Sequence, residues 1–131
     1  MGATVDLRLL EGFYAVSFLP PDSAVPNWVT EKEPEGGFVN VSFCNDEISI
    51  VTPADRVPDG VETDKGWRAL KLTGAFAFDQ PGIVLSVVRP ISEAELGVFV
   101  VSTFHRDYLL VRSESLEKAQ ALLTEAGHRW A

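Results

Sequence analysis

The sequence predicts an α+β fold built from two copies of one small antiparallel module. Three observations carry this reading. Residues Phe38 to Ile50 and Phe99 to Val111 align without a gap at a constant spacing of 61, with Phe, Val, Phe and Asp recurring identically. Four identities in thirteen positions compare with about one expected by chance, which marks an internal repeat. Each copy reads as two apolar runs around a short polar turn, the pattern of a β-hairpin. After the second copy, Leu116, Ala119 and Leu123 recur at helical spacing, so strands and helices are mixed rather than alternating. The expected modules are residues 1–60 and residues 61–131.

Taken in order, Val5 to Leu10 alternates apolar and polar, the period of a half-buried strand. Gly12 breaks it. Phe13 to Leu19 is a second β-prone run, closed by Pro20-Pro21. Asp22 to Val29 can begin a short helix capped by Asp22 or Ser23, which Pro26 keeps short. Thr30 to Gly37 is a charged loop, the first hairpin follows, and Thr52-Pro53 closes it. Ala54 to Gly66 is polar and carries the turn signature Pro58-Asp59-Gly60, which makes it the expected boundary, with no obvious helix. Trp67 to Leu72 reads as a strand and Gly74 as a break, with β character continuing through Ala75 to Phe78. Pro81 suits a first helical turn, where its missing N–H costs nothing. Ile83, Val84, Val87 and Val88 then share a helical face that Pro90 ends or kinks, and Ser92 can cap a further turn stopping at Gly97. Beyond the main hairpin, Ser113 is the expected N-cap of the last helix and Gly127 its C′ residue.

Composition narrows the function classes. At 131 residues with a net charge of −8, the chain has room for one core or two half-size modules sharing one. Its 11 basic residues form no cluster, which argues against nucleic acid, whose phosphates require Lys and Arg. No apolar run approaches the roughly 20 residues of a membrane span. The N-terminus lacks a basic, then apolar, leader, so a cytoplasmic protein without membrane association is expected. A single cysteine, Cys44, offers neither an intrachain disulfide nor a Cys-rich zinc site and is expected as a small buried side chain. His105 and His128 lack metal-ligand spacing and are expected at the surface. The tryptophans and the strand-spaced phenylalanines are expected in the core or at interfaces. No Gly-x-Ser-x-Gly, Gly-rich phosphate loop or His-Glu-x-x-His is present, and Ser102, His105 and Asp107 lie on one short hairpin whose tether disfavours a catalytic triad. The expectation is no enzyme and no cofactor.

Four stretches carry a family resemblance: Gly66 to Leu72, Phe78 to Ile83, Ser102 to Val111 and Leu122 to His128. Together with Asp46-Glu47-Ile48-Ser49-Ile50-Val51, they resemble a tandem ACT-domain protein. The group in question is that of stand-alone bacterial ACT proteins, aspartokinase regulatory domains and CASTOR-type arginine sensors. The resemblance implies two ferredoxin-like (βαββαβ-type) modules in tandem, the first lacking its final helix. It implies side-by-side pairing and amino-acid binding where modules meet, hence a regulatory protein. Open sheet edges make a homodimer the expected assembly.

An amino acid presents a carboxylate and an ammonium, so its site needs N–H donors and a facing carboxylate or carbonyls. The Gln80–Ile83 junction supplies donors, because Gly82 allows close backbone approach and a helix N-terminus carries partial positive charge. On the resemblance, Pro81, Gly82, Ile83 and Val84 form the ligand loop. Asp107 takes the ammonium or bonds its own turn, while Ser102, Thr103 and Phe104 line the wall. Glu47 and Ser49, on alternate positions of a neighbouring strand, complete the pocket or stay solvated. The alternative is a structural module that dimerises or docks without a ligand.

Overall fold

A computed structural model describes residues 3–31, 37–74 and 80–131. The expected strand over Ala75 to Phe78 and the middle of the charged loop at 32–36 lie outside the described residues. The chain divides into two compact units, residues 11–67 and residues 1–10 with 68–131. This division differs from the boundary expected after residue 60, because the first ten residues group with the C-terminal part of the chain.

The reason is in the core of that second unit. Strand β1 (Asp6–Leu9) runs antiparallel to the second half of β5 (Glu62–Thr73), with Leu7 opposite Leu72 and Leu9 opposite Leu70. On its other side it runs parallel to β8 (Arg129–Trp130), a short strand that the sequence pattern does not reveal. The remaining strands, β6 (Val98–Ser102) and β7 (Asp107–Arg112), form the main hairpin, and β7 pairs β5. Helices α2 (Ile83–Glu93) and α3 (Leu116–Glu125) pack on these strands. One cluster joins Val5, Leu7, Leu70 and Leu72 to Val87 and Ile91 of α2 and to Ala119 and Leu123 of α3. Each fully buried leucine or isoleucine there contributes about 1.5–3 kcal/mol relative to exposure.

The structure settles two helix boundaries. Helix α2 continues through Pro90 to Glu93, so of the two expected alternatives, an end or a kink, the end is excluded. A 3-10 turn over Ser113–Ser115 precedes α3, so Ser115 rather than Ser113 is its N-cap. Gly127 takes the expected left-handed conformation, φ +98°, just past the helix end.

In the other unit, β2 (Tyr14–Leu19) lies between β4 (Ile48–Pro53) and the first half of β5, and β3 (Asn40–Phe43) flanks β4. Helix α1 (Asn27–Thr30) is one turn, entered from Pro26 rather than capped by Asp22 or Ser23. Val29, Ile48 and Ile50 are buried together, with Leu19, Trp28, Val39 and Val41 packed on them. The Tyr14 ring stacks on Phe38 at 5.1 Å, and its hydroxyl accepts the Phe38 N–H at 3.3 Å. Strand β5 begins at Glu62, five residues before the expected start at Trp67 and inside the boundary stretch. Its polar start is held by β2: Thr63 pairs Ser17, and their hydroxyls lie 3.1 Å apart.

The two hairpins share a turn but not the expected register. Cys44 N–H donates to the Glu47 carbonyl at 2.9 Å, and Thr103 N–H to the Arg106 carbonyl at 2.7 Å. Each turn is closed by the same bond, so Cys44 corresponds to Thr103 and the structural spacing is 59, two short of the identity alignment. Asp46 is therefore the counterpart of His105, not of Asp107. A two-residue slip keeps every side chain on its own face, which is how the aligned apolar pattern survives it.

Other expectations for side chains are corrected. Cys44 is exposed, and Phe13, Phe43 and Phe104 are more than half exposed, because they fall on turns or the ends of strands. His128 is only 4% exposed.

Candidate functional site

Strand β5 ends at Thr73, and the chain re-enters the described structure at Gln80 to start α2. Gly82 is the N-cap with φ +84°, a left-handed conformation in which any L side chain is strained. Among the described residues no side chain caps the helix, and its first turn holds no acidic residue. The first helical bond runs from Ser86 N–H to the Gly82 carbonyl at 3.0 Å. The N–H groups of the first turn, at Ile83 to Leu85, accordingly have no intrahelical acceptor and face outward along the helix axis.

The turn between β6 and β7 faces this helix start across a pocket of about 300 Å³. Gln80, Gly82, Ile83, Val84 and Leu85 line it from one side and Ser102 to Asp107 from the other. Ser102 Oγ donates to Asp107 Oδ1 at 2.5 Å, leaving the second carboxylate oxygen without a partner among the described residues. Thr103 Oγ1 accepts the Arg106 N–H at 3.2 Å and so holds the turn closed. One guanidinium nitrogen of Arg106 donates to the carbonyls of Gly74 and His105, at 3.0 and 2.9 Å. That fixes a positive charge on the pocket while its other N–H groups stay available.

Seven of the ten candidate residues therefore line one pocket: Gly82, Ile83, Val84, Ser102, Thr103, Phe104 and Asp107. Pro81 lines a neighbouring concavity of about 500 Å³ with Arg89, Glu93 and His128. Glu47 and Ser49 belong to residues 11–67 and line neither of these two pockets. Arg106, Leu85 and His105 line the first pocket without having been singled out as ligand contacts, and Gln80 of the expected donor junction lines it too. Leu85 was legible as the next residue of the first helical turn.

The geometry also bears on chemistry. Ser102 bonds Asp107 directly, while the His105 ring packs edge-on against Phe104 at 4.6 Å between centroids. The order Ser–His–Asp that proton relay requires is not formed. In the other unit, ligand atoms of Cys44, Asp46 and Glu47 all lie within 4.8 Å of one another. Three donors, two of them on exposed residues, fall short of the four that close a structural zinc site.

Tyr108, next to Asp107, is buried, and desolvation pushes its phenol above the ordinary value near 10, partly offset by the charge of Arg106. The folded chain thus keeps this proton to higher pH than the unfolded chain does. Stability is intact below about pH 10 and falls as pH rises toward the folded-state value. Tyr108→Phe is expected to flatten that alkaline decline, read as urea midpoints between about pH 9 and 11.

Among the described residues no helix is long and apolar enough to cross a membrane. No curated protein matches the chain. A family model described as ACT domain matches residues 62–125, and another, described as an N-terminal domain, matches residues 12–60. The chain is similar to the crystal structure of protein Atu0741 from Agobacterium tumefaciens, with 46% identity and a TM-score of 0.88, covering 98% of this chain and 93% of that one. VC0802 from Vibrio cholerae, of unknown function and described as a possible transport protein, has a TM-score of 0.73 at 15% identity, covering 94% and 90%. The ligand-free regulatory subunit of aspartate kinase from Thermus thermophilus has a TM-score of 0.63 at 12% identity, covering 95% and 99%. These last two share the fold. The chain belongs to the same family as Atu0741, and its residues 62–125 are the part that matches the ACT domain model.

Proposed function

We propose that this protein is a regulator that binds an amino acid in the pocket between the start of α2 and the β6–β7 turn. One observation supports it above the others. Two stretches about twenty residues apart in sequence line a single pocket that offers both halves of zwitterion recognition. The uncapped N–H groups of α2 and the Arg106 guanidinium suit a carboxylate, and the free oxygen of Asp107 suits an ammonium. On this reading the protein is cytoplasmic and not catalytic. Residues 11–67 act as an abbreviated companion module in the CASTOR-type tandem manner, and β6, which pairs only β7 among the described residues, offers the edge for a homodimer. Ligand acts by binding one assembly or partner-bound state more tightly than another.

The test is a thermal-shift screen of the twenty amino acids at millimolar concentration. At least one is expected to raise the midpoint, and Asp107→Asn to weaken its binding about tenfold or more, as loss of a charged hydrogen bond does. A flat screen overturns the proposal and leaves a module that dimerises or docks without ligand.

A further inference from the structure

The pocket walls are mixed: Ile83 is buried, Asp107 and Arg106 are partly buried, and Gln80, Ser102, Thr103 and His105 are exposed beside two large apolar side chains. Asp107 is half-buried, whereas Leu85 and Phe104, which line the same space, are 53% and 71% exposed. Single exposed apolar residues are ordinary. Two of them, one from the first turn of a helix and one from a hairpin turn, line one shared concavity, where a ligand can cover both. At about 300 Å³, the space sits at the small end of the roughly 300–1,000 Å³ of small-molecule sites. The only fixed cation on the walls, Arg106, already gives one nitrogen to two carbonyls.

We infer that the ligand is an amino acid with a large apolar side chain, of the leucine, methionine or phenylalanine class. Its head group sits at Asp107 and the α2 N-terminus, and its side chain lies between Leu85 and Phe104. This rests on the binding reading above and adds the side-chain class. Burial of those two exposed surfaces by the ligand supplies the selectivity, since each methylene placed in an apolar pocket is worth about 10-fold or more in discrimination.

Isothermal titration of the full chain with L-leucine, L-methionine, L-phenylalanine, L-alanine, L-aspartate and L-lysine tests it. One of the first three is expected to bind at least about tenfold tighter than L-alanine. Phe104→Ser and Leu85→Gln replace exposed side chains and leave the fold in place. Each is expected to cost that ligand about tenfold while changing L-alanine binding little. Equal or tighter binding of L-aspartate, in which Arg106 selects a second anion, overturns the inference and leaves the binding reading standing. So does equal binding of L-alanine or L-lysine, or an apolar ligand indifferent to both substitutions. Absence of binding by all six, with a flat twenty-residue screen, overturns both.

Discussion

A fragment of residues 61–131 is expected not to fold cooperatively, and adding a peptide of residues 1–10 to restore a sigmoidal urea transition. The fragment is the module that sequence periodicity delimits, yet it lacks β1. That strand lies between β5 and β8, and its Leu7 is fully buried beside Leu72. Removing it deletes Val5 and Leu7 from a core shared with α2 and α3, at about 2–5 kcal/mol for each large aliphatic lost. It also strips β8 of the ladder that holds Arg129 and Trp130. A unit of some seventy residues has only about 5 kcal/mol to lose. In the full chain, Leu7→Ala alone is expected to cost about 3 kcal/mol. Far-UV circular dichroism and urea titration of the fragment, with and without the peptide, decide the matter. A fragment that melts at the midpoint of the intact chain would show that the first strand is an accessory.

Why the sequence does not join the first strand to the later residues follows from what periodicity can report. Alternation at Val5, Leu7 and Leu9 identifies a strand, but the partner lies more than sixty residues away, and nothing local names it. The polar stretch at 54–66 looks like a linker because Glu62 to Lys65 present few apolar faces. Its strand character comes from pairing with β2, a tertiary effect on a weak local preference. The repeat was legible as two hairpins, and the turn bonds of Cys44 and Thr103 bear that out. Its register was not, because a slip of two residues leaves the apolar pattern nearly unchanged. The pocket fared better. Gly82 marks a helix start that admits close approach, and Asp107 sits in a turn motif, so both were visible as chemistry. Arg106 was not, since a charged turn residue is ordinarily solvated, and only the carbonyls of Gly74 and His105 turn it toward the site.

His128 is the other place where sequence and structure part, and there the next large effect is expected. A histidine three residues from the end of the chain reads as a surface residue, but its ring bridges two elements. Nδ1 accepts the Val5 N–H at 3.1 Å, which puts the proton on Nε2, and Nε2 donates to the Ser86 carbonyl at 2.9 Å. The second bond answers a specific defect. The Ser86 carbonyl would ordinarily accept the N–H four residues on, and that residue is Pro90, which has none. The imidazole supplies the missing donor, which is how α2 passes through a proline and runs on to Glu93. His128→Ala should therefore cost about 2–4 kcal/mol, since it leaves the Val5 N–H and the Ser86 carbonyl unpaired and opens a cavity. The same substitution made on Pro90→Ala should cost about 1 kcal/mol less, because an alanine in place of the proline gives the Ser86 carbonyl its helical donor back. Urea unfolding of the two single variants and the double variant measures that coupling. Strict additivity would mean that the ring serves only the first strand, and that the proline is accommodated by other means.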